Sequence, residues 1–492
     1  MGSESPAAPL LRPPLGPGAR IDGFRIVERI HAGGAGYIYS VEAPPGRDAG
    51  FPLVMKVPAV GIGEPWIGVV AFEMELMIHP ALRGPHVPRF VAAGELHTTP
   101  YLVMERIQGE SLAALCARAP LAVDEIARVG AALADALHDL HSQQAVHHDL
   151  KPENVMMRAD GSAVLLDFGF AHHARYPDLL GEQMQFEAGS APYVSPEQLR
   201  HRRGDARSDL FALGAILYEL ATAEPPFGTP LTFAGMRDRL WRVPVPPRAR
   251  NTAVTPWLQE VILRCLEPDA ARRYPAAALV AFDLRHPAQV ALTPRANRTR
   301  APRVLQQARG WWRSRAALDL APAPAHPAPV ILVAVDTTNL DDERHPVIQW
   351  TARRVMAVAE EHRMMCVSVV PQPAQEGTQL TETESGRQLE HLARLKRWVE
   401  PFGLPASRLS LLVMQAPDPA ETIVELARRN HADLIVLGAP PPSVIGWWRS
   451  AASSVTANAP CSVYVVRAGA DDRGQTTVTI RNGVDASGRF VS

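Results

Sequence analysis

The sequence predicts two unlike domains: an α+β domain, followed by an α/β domain built on a parallel sheet with helices on both faces. Three observations carry this. At 492 residues the chain exceeds what one ordinary hydrophobic core serves. Composition changes between residues 286 and 329, where seven arginines from Arg295 to Arg315 run without an acid and give way to Ala321-Pro322-Ala323-Pro324. The order of elements also differs across this break. Before it, strand-like stretches precede long amphipathic and buried helices; after it, from Val330, apolar strands and helices alternate.

Lysine and arginine number 50 against 51 acids, a formal net charge of −1. This balance gives no reason to expect nucleic acid as a partner. Cys116, Cys265, Cys366 and Cys461 stand far apart without metal-ligand spacing, which argues against disulfides and zinc and for a reducing, cytoplasmic setting. The longest apolar run, Leu210 to Leu220, falls short of the roughly 20 residues that cross a bilayer; it reads as a buried helix, and no transmembrane segment is expected. Residues 1–19, rich in Pro, Ala and Gly, lack a cationic start and an apolar core and read as a disordered tail.

The chemistry is concentrated between His147 and Gly169. His147-His148-Asp149-Leu150-Lys151-Pro152-Glu153-Asn154 is followed by Leu166-Asp167-Phe168-Gly169. An acid, a lysine two places on, an asparagine three beyond, and a second acid before Phe-Gly are the parts of a phosphoryl-transfer site. Upstream, Ile30-His31-Ala32-Gly33-Gly34-Ala35-Gly36-Tyr37-Ile38 brings glycines that let backbone N–H groups approach phosphates. A strand, Leu53 to Val57, then carries Lys56.

These motifs resemble the protein kinase family, over roughly residues 20–285. The resemblance implies a bilobal α+β kinase fold, with ATP and Mg2+ as nucleotide and metal. It makes Asp149 the residue that orients the attacking hydroxyl and accepts its proton, and Lys151 a neutraliser of charge on the moving phosphoryl group. Asn154 and Asp167 become the metal ligands, and Lys56 the residue that grips the nucleotide phosphates. Counting back from Gly84-Pro85-His86-Val87 picks Glu75 over Glu73 on the helix Val69 to Leu82 as the partner of Lys56. Gly33, Gly34, Gly36 and Ile38 fall in the nucleotide loop, with His31 where the first glycine is expected. Met104 takes the gatekeeper position, and Glu105 and Ile107 belong to the hinge that meets adenine.

Two departures bear on regulation. His148 replaces the arginine that kinases of this kind use to bind a phosphate on the activation segment, and an imidazole cannot fork onto phosphate oxygens. Between Asp167 and Ser190 there is no Ser or Thr, and Tyr176 is the sole hydroxyl side chain. A catalytic loop that does not wait for phosphorylation is expected. The segment Gly189 to Glu197 resembles the peptide-docking part of the family, Arg273 is placed to pair with Glu197, and Asp209 is expected to cap the buried helix. These features, with Lys151-Pro152-Glu153-Asn154, imply a Ser/Thr protein kinase acting on protein substrates. A nucleotide-binding pseudokinase scaffold is the alternative; the presence of Lys56, Asp149, Asn154 and Asp167 argues against it.

Residues 286–329 read as a basic, Pro/Ala-rich linker, in preference to a dock for an anionic surface, membrane or nucleic acid, with Trp311-Trp312 as anchors. From Val330 to Arg467 the pattern resembles the universal stress protein family, a Rossmann-like α/β fold. The resemblance is carried by Val335-Asp336, Ala432-Asp433-Leu434-Ile435-Val436-Leu437-Gly438, and Asn458-Ala459-Pro460 before Cys461 to Arg467. Gly438 and Ser450 match phosphate-loop positions of ATP-binding members, but Pro441 and Arg449 stand where glycines belong, so ATP is not expected here. The resemblance implies a sensor or dimeriser, with Cys461 to Val466 as the edge of a homodimer. After Arg467 a polar tail follows, in which Thr477 to Val484 alternates and contains Asn482-Gly483; a small hairpin and disorder are both open.

Overall fold

The computed structural model describes residues 14–33, 36–58, 66–94, 100–183, 190–230, 233–300, 329–340, 344–358, 362–371, 383–438, 447–470 and 476–481. The first domain opens with β1 (Arg20–Ile21), β2 (Phe24–Gly33), β3 (Gly36–Glu42), β4 (Leu53–Val57), β5 (Phe90–Gly94) and β6 (Tyr101–Glu105). They form an antiparallel sheet in the order β1-β2-β3-β4-β6-β5. Alternation along β4 decides what each face does. Leu53, Met55 and Val57 close a core with Ile26, Tyr39 and Val103, while Val54 and Lys56 turn to the side where α1 (Trp66–Ile78) packs.

Leu15 joins the sheet core, and its backbone N–H donates to the Tyr39 hydroxyl at 2.9 Å. The described end of the expected tail, from residue 14, is therefore part of this domain, because burying a leucine removes apolar area that a solvated tail would leave in water. The helix expected over Val69 to Leu82 starts earlier, at Trp66, and stops at Ile78. Pro80 sits in the tighter turn His79–Ala81 that follows.

The second lobe begins with β7 (Glu110–Ser111), α2 (Leu112–Cys116) and α3 (Val123–Ser142), then β8 (Ala145–Val146), β9 (Val155–Met157), β10 (Ala163–Leu165), β11 (His172–His173) and α4 (Leu179–Gln183). It continues with α5 (Arg207–Thr222), α6 (Phe233–Met236), α7 (Pro247–Arg250), α8 (Pro256–Cys265) and α9 (Ala277–Arg285). On α3, Ile126, Val129, Leu133, Leu137 and Leu140 recur at helical spacing and are buried. Apolar on every side, α5 is buried on every side. This helical core holds the hairpin β9–β10 still, so the loops before and after it are placed from a rigid base.

Residues 286–300 are not linker. Arg295 reaches Glu260 at 2.9 Å and Glu267 at 2.6 Å, both from the α8 region. The Gln259 side-chain amide donates to the carbonyls of Arg295, Ala296 and Arg298. The acids missing from this stretch of sequence are supplied by the lobe it packs on. Residues 301–328, with Trp311 and Trp312, lie outside the described residues.

The second domain consists of β12 (Val330–Ala334), α10 (Arg344–Val358), β13 (Arg363–Pro371), α11 (Thr383–Val399), β14 (Leu409–Ala416), α12 (Pro419–Arg429), β15 (Leu434–Gly438), α13 (Trp447–Asn458), β16 (Ser462–Ala470) and β17 (Thr476–Arg481). The sheet order is β14-β13-β12-β15-β16-β17. Strands through β16 are parallel, and β17 runs antiparallel to β16. Alternate residues of β12 feed two cores, Ile331 and Val333 on one face, Val330, Leu332 and Ala334 on the other. The described part of the tail, Thr476–Arg481, forms a strand antiparallel to β16; Asn482-Gly483, on which the expected hairpin turns, lie outside the described residues. This strand also covers the strand edge expected to pair with a second copy. No described helix is long and apolar enough to cross a membrane.

Candidate active site

Because β4 turns Lys56 toward α1, its ammonium sits 2.6 Å from Glu75 Oε2 and 3.0 Å from Asp167 Oδ1. On α1 it is Glu75 that meets the lysine, while Glu73 lies elsewhere. Burial by itself would favour the neutral amine, but Asp167 and Glu75 outweigh it and hold the Lys56 pKa above its ordinary value. Burial pushes the Glu75 carboxyl up against the pull of Lys56. Asp167 goes the other way: burial is opposed and overcome by Lys56, and its pKa falls. The Asp167 backbone is left-handed, with φ of 62°, and the Gly169 N–H donates to Oδ1 at 3.3 Å.

The catalytic loop hangs between β8 and β9 and is fastened from α5. Asp209 does not cap its own helix. Its carboxylate accepts from the backbone N–H of His147 at 2.8 Å and of His148 at 2.9 Å, with His141 Nε2 at 2.9 Å. These loop amides have no ladder to join, so a buried carboxylate satisfies them. Burial raises the Asp209 pKa, but the bond from His141 and the neighbouring imidazoles win and lower it to about 2. His147 donates from Nε2 to the Leu166 carbonyl at 3.0 Å and accepts the Asp149 N–H on Nδ1 at 3.3 Å. One imidazole therefore ties the catalytic loop to the Asp167 turn.

Asp149 is held on both oxygens. Lys151 Nζ lies 2.9 Å from Oδ2, and the Asn154 amide donates to the Asp149 carbonyl at 2.9 Å and to Oδ2 at 3.2 Å. Ser190 donates its N–H and its hydroxyl to Oδ1, each at 2.9 Å. Ser190 was not picked out as a site residue from sequence, although its place in Gly189-Ser190-Ala191-Pro192-Tyr193 was the available signal. With the Asn154 amide nitrogen committed to Asp149, its amide oxygen is the atom able to meet a cation. That oxygen and the Asp167 carboxylate are hard donors of the kind Mg2+ takes, so the donor set fits the implied metal.

On the nucleotide side, Gly33 and Gly36 face each other across the β2–β3 turn, and Gly36 has φ of 124°, which an L side chain rarely adopts. Gly34 lies outside the described residues. A Cβ on Gly33 would come within 2.9 Å of His31 Nε2, so the imidazole that replaces the first glycine leans over the second. Ile38 pairs with Lys56 across β3 and β4, and Met104 pairs with Val54 and is buried. The Glu105 carboxylate is taken by Arg89 at 3.0 Å and Arg158 at 3.3 Å, while the backbone N–H of Glu105 donates to the Arg89 carbonyl at 2.9 Å and that of Arg106 to the Pro52 carbonyl at 2.8 Å. Ile107, two residues on, is half-buried.

The described part of the activation segment is anchored by bonds to the chain around residues 203–204. His148 accepts the Gly204 N–H on Nε2 at 3.0 Å, and burial, reinforced by Arg203, pushes its pKa down to about 3. Asp178 instead pairs with Arg203, Nε lying 2.7 Å from Oδ2, while Arg203 Nη2 donates to the Phe170 carbonyl at 2.8 Å. Sequence reasoning missed this pair, because the two residues are joined by folding and not by spacing. Arg273 forks onto Glu197 at 2.5 and 2.8 Å.

In the second domain Asp336 accepts from the Thr338 N–H at 3.0 Å and from its hydroxyl, bonds that close its own turn. Gly438 ends β15, and Pro441 lies outside the described residues. Arg449 and Ser450 fall within α13.

Residues 65–284 match the family model for the protein kinase domain, and residues 329–467 match that for the universal stress protein family. Among curated relatives, the serine/threonine-protein kinase PknB of Mycolicibacterium smegmatis is 34% identical over 218 residues, covering 43% of this chain and 35% of the relative. PknB of Mycobacterium tuberculosis is 34% identical over 220 residues, with the same shares. A probable serine/threonine-protein kinase of Corynebacterium efficiens is 33% identical over 222 residues, covering 43% of this chain and 34% of the relative. The chain spans about a third of the length of these relatives. The chain thus carries a segment that matches the protein kinase domain family, followed by one that matches the universal stress protein family.

Proposed function

We propose that the chain is a Ser/Thr protein kinase that transfers the ATP γ-phosphoryl group to hydroxyls of protein substrates. The observation that carries this reading is the way Asp149 is fixed by Lys151, Asn154 and Ser190 while Lys56 is fixed between Glu75 and Asp167. Catalysis of this kind is positioning and electrostatics more than covalent chemistry. Asp149 orients the acceptor hydroxyl and takes its proton as the acceptor oxygen bonds to the γ-phosphorus and the bond from phosphorus to the ADP oxygen breaks. Lys151 neutralises charge on the group in flight, and Lys56 holds the phosphates that stay behind. Asn154 and Asp167 would hold Mg2+, which supplies positive charge at the phosphate oxygens. Gly33, Gly34, Gly36 and Ile38 cover the nucleotide, and Met104, Glu105 and Ile107 border the adenine.

The C-terminal domain serves as the sensing part, in stress signalling. A dimerising role has less support, since β17 already pairs with β16. All four cysteines are free, which suits a cytoplasmic setting.

The test is incorporation of labelled phosphate from ATP into the protein and into a basic acceptor protein. Wild type should label Ser and Thr. Asp149→Asn and Asp167→Ala should each lose at least about a hundredfold in rate, the low end of what a positioned base contributes. No label above the variants, with nucleotide still bound, would instead leave a nucleotide-binding scaffold.

A further inference from the structure

The apolar sequence of α1 needs two partners, not one. Phe72 and Met74, two positions apart and so on nearly opposite sides of a helix, are 2% and 0% exposed. Met74, with Val70 and Ile78, packs into the kinase core. Phe72 and Val69 instead share an apolar cluster with Leu392, Leu395, Trp398 and Val399 of α11, and α1 packs against α11 directly. The two acids of α1 divide in the same way. Glu75 points to Lys56, whereas Glu73 faces the charge of Lys396 on α11, and burial pushes its carboxyl up to about 7.

A second contact lies on the activation segment. The short helix α4, which follows Asp178, packs against α1, β14 and α12. Leu179 and Leu180 enter the kinase core. Glu182 turns outward and forms a largely buried ion pair with Arg363 at the start of β13, whose guanidinium also donates to Ser410 Oγ at 2.7 Å. Asp178 lies close enough to Arg363 to counter part of the cost of burying it. The C-terminal domain thus touches the two elements whose placement decides whether a kinase site is assembled. Both are in the assembled arrangement, with Glu75 on Lys56 and Ser190 on Asp149.

We propose that the C-terminal domain is an activating partner within the same chain, docking on α1 and α4 and holding them where Glu75 meets Lys56 and the activation segment meets Asp149. This rests on the kinase reading of the site. It answers what orders a segment that has no Ser or Thr between Asp167 and Ser190 and whose catalytic loop carries His148 in place of a phosphate-binding arginine. The surface of the C-terminal domain does the work that a phosphate does elsewhere, and anything that loosens the docking lowers the rate.

The experiment uses the full chain and exchanges charges across the contact. Glu182→Arg and Arg363→Glu are each expected to lower phosphate incorporation about tenfold, within the range typical of coupling between sites. The double exchange should return most of the rate. Hydrogen exchange of the α1 and α4 amides should quicken in the single variants and slow again in the double. Lys396→Glu, alone and with Glu73→Lys, repeats the cycle on the α1 side, so that poor folding of one pair leaves the other to decide. Single variants that keep the wild-type rate while α1 and α4 exchange faster would overturn the proposal, as would variants that run faster. Unchanged exchange in every variant would also overturn it, by removing the contact in solution. If wild type incorporates no more phosphate than Asp149→Asn, the kinase reading fails instead, and the exchange data still report on docking.

Discussion

At the scale of single residues, the catalytic loop is held by groups whose protonation is set by burial. His148 is 4% exposed and its pKa falls from 6.5 to about 3; that of Asp209 falls from 3.8 to about 2. For both, the unfolded chain binds protons that the folded chain refuses, so stability drops as pH falls. The windows differ: His148 acts from about pH 6.5 down to about 3, Asp209 from about 3.8 down to about 2. Between pH 6.5 and 4 the effect of His148 stands apart from that of Asp209, although His79, His173, His201 and His391 also have lowered values and share the slope, and the raised Glu73 carboxyl opposes it. His148→Asn should isolate it, since the residue has φ of 61° and asparagine tolerates that backbone. Unfolding by urea at pH 7 and pH 5 is expected to show the variant losing up to about 1.4 kcal/mol per pH unit of the wild-type dependence. An equal slope in both proteins would mean that His148 does not titrate in this window. The replacement of arginine was legible in sequence. What the imidazole does, accepting the Gly204 N–H while Asp178 turns to Arg203, was not, because both bonds depend on chain brought back from beyond residue 200.

Among elements, those with a strong internal pattern were readable and those finished by a neighbour were not. The spacing of apolar residues gave α3, and the alternation of β4 put Lys56 on the α1 side. The residues 286–300 looked like solvated linker because their counter-charges, Glu260 and Glu267, sit on another stretch of chain. Asp209 was placed correctly on α5, but its partners were misread: a helix-opening acid usually caps its own first turn, and here the loop amides compete better. The Glu197–Arg273 pair, inferred from sequence, is a test of how much such long-range ties carry. Arg273 is 3% exposed and also donates to the Arg207 and Glu267 carbonyls, at 2.7 and 2.8 Å. Arg273→Ala would leave the buried Glu197 carboxylate with Ser208 as its remaining side-chain hydrogen-bond donor among the described residues, at a cost of about 3–5 kcal/mol. A lowered urea midpoint for the kinase domain measures it. Arg273→Lys should recover little, since an ammonium cannot fork onto both oxygens.

For the molecule as a whole, two domains and their order were legible, and the sheet edge of the second was not. The strand order of the second domain puts β16 at the end of the parallel strands, where without β17 its outer amides and carbonyls would be unpaired. Such an edge is a template for another strand, and pairing with a second copy is one way to cover it. Here Thr476–Arg481 returns and takes the place, antiparallel to β16. Sequence left this open because an alternating polar segment pairs only where an edge is offered, and the edge is made by residues far upstream. Ending the chain after Ala470 would strip β17 and expose β16 again. Light scattering is expected to show the full chain at its monomer mass of 53.5 kDa and the shortened chain shifting toward a dimer as concentration rises. A shortened chain that stays monomeric at every concentration would mean that β16 is protected by something other than β17; a full chain that is already dimeric would place the homodimer contact on another face.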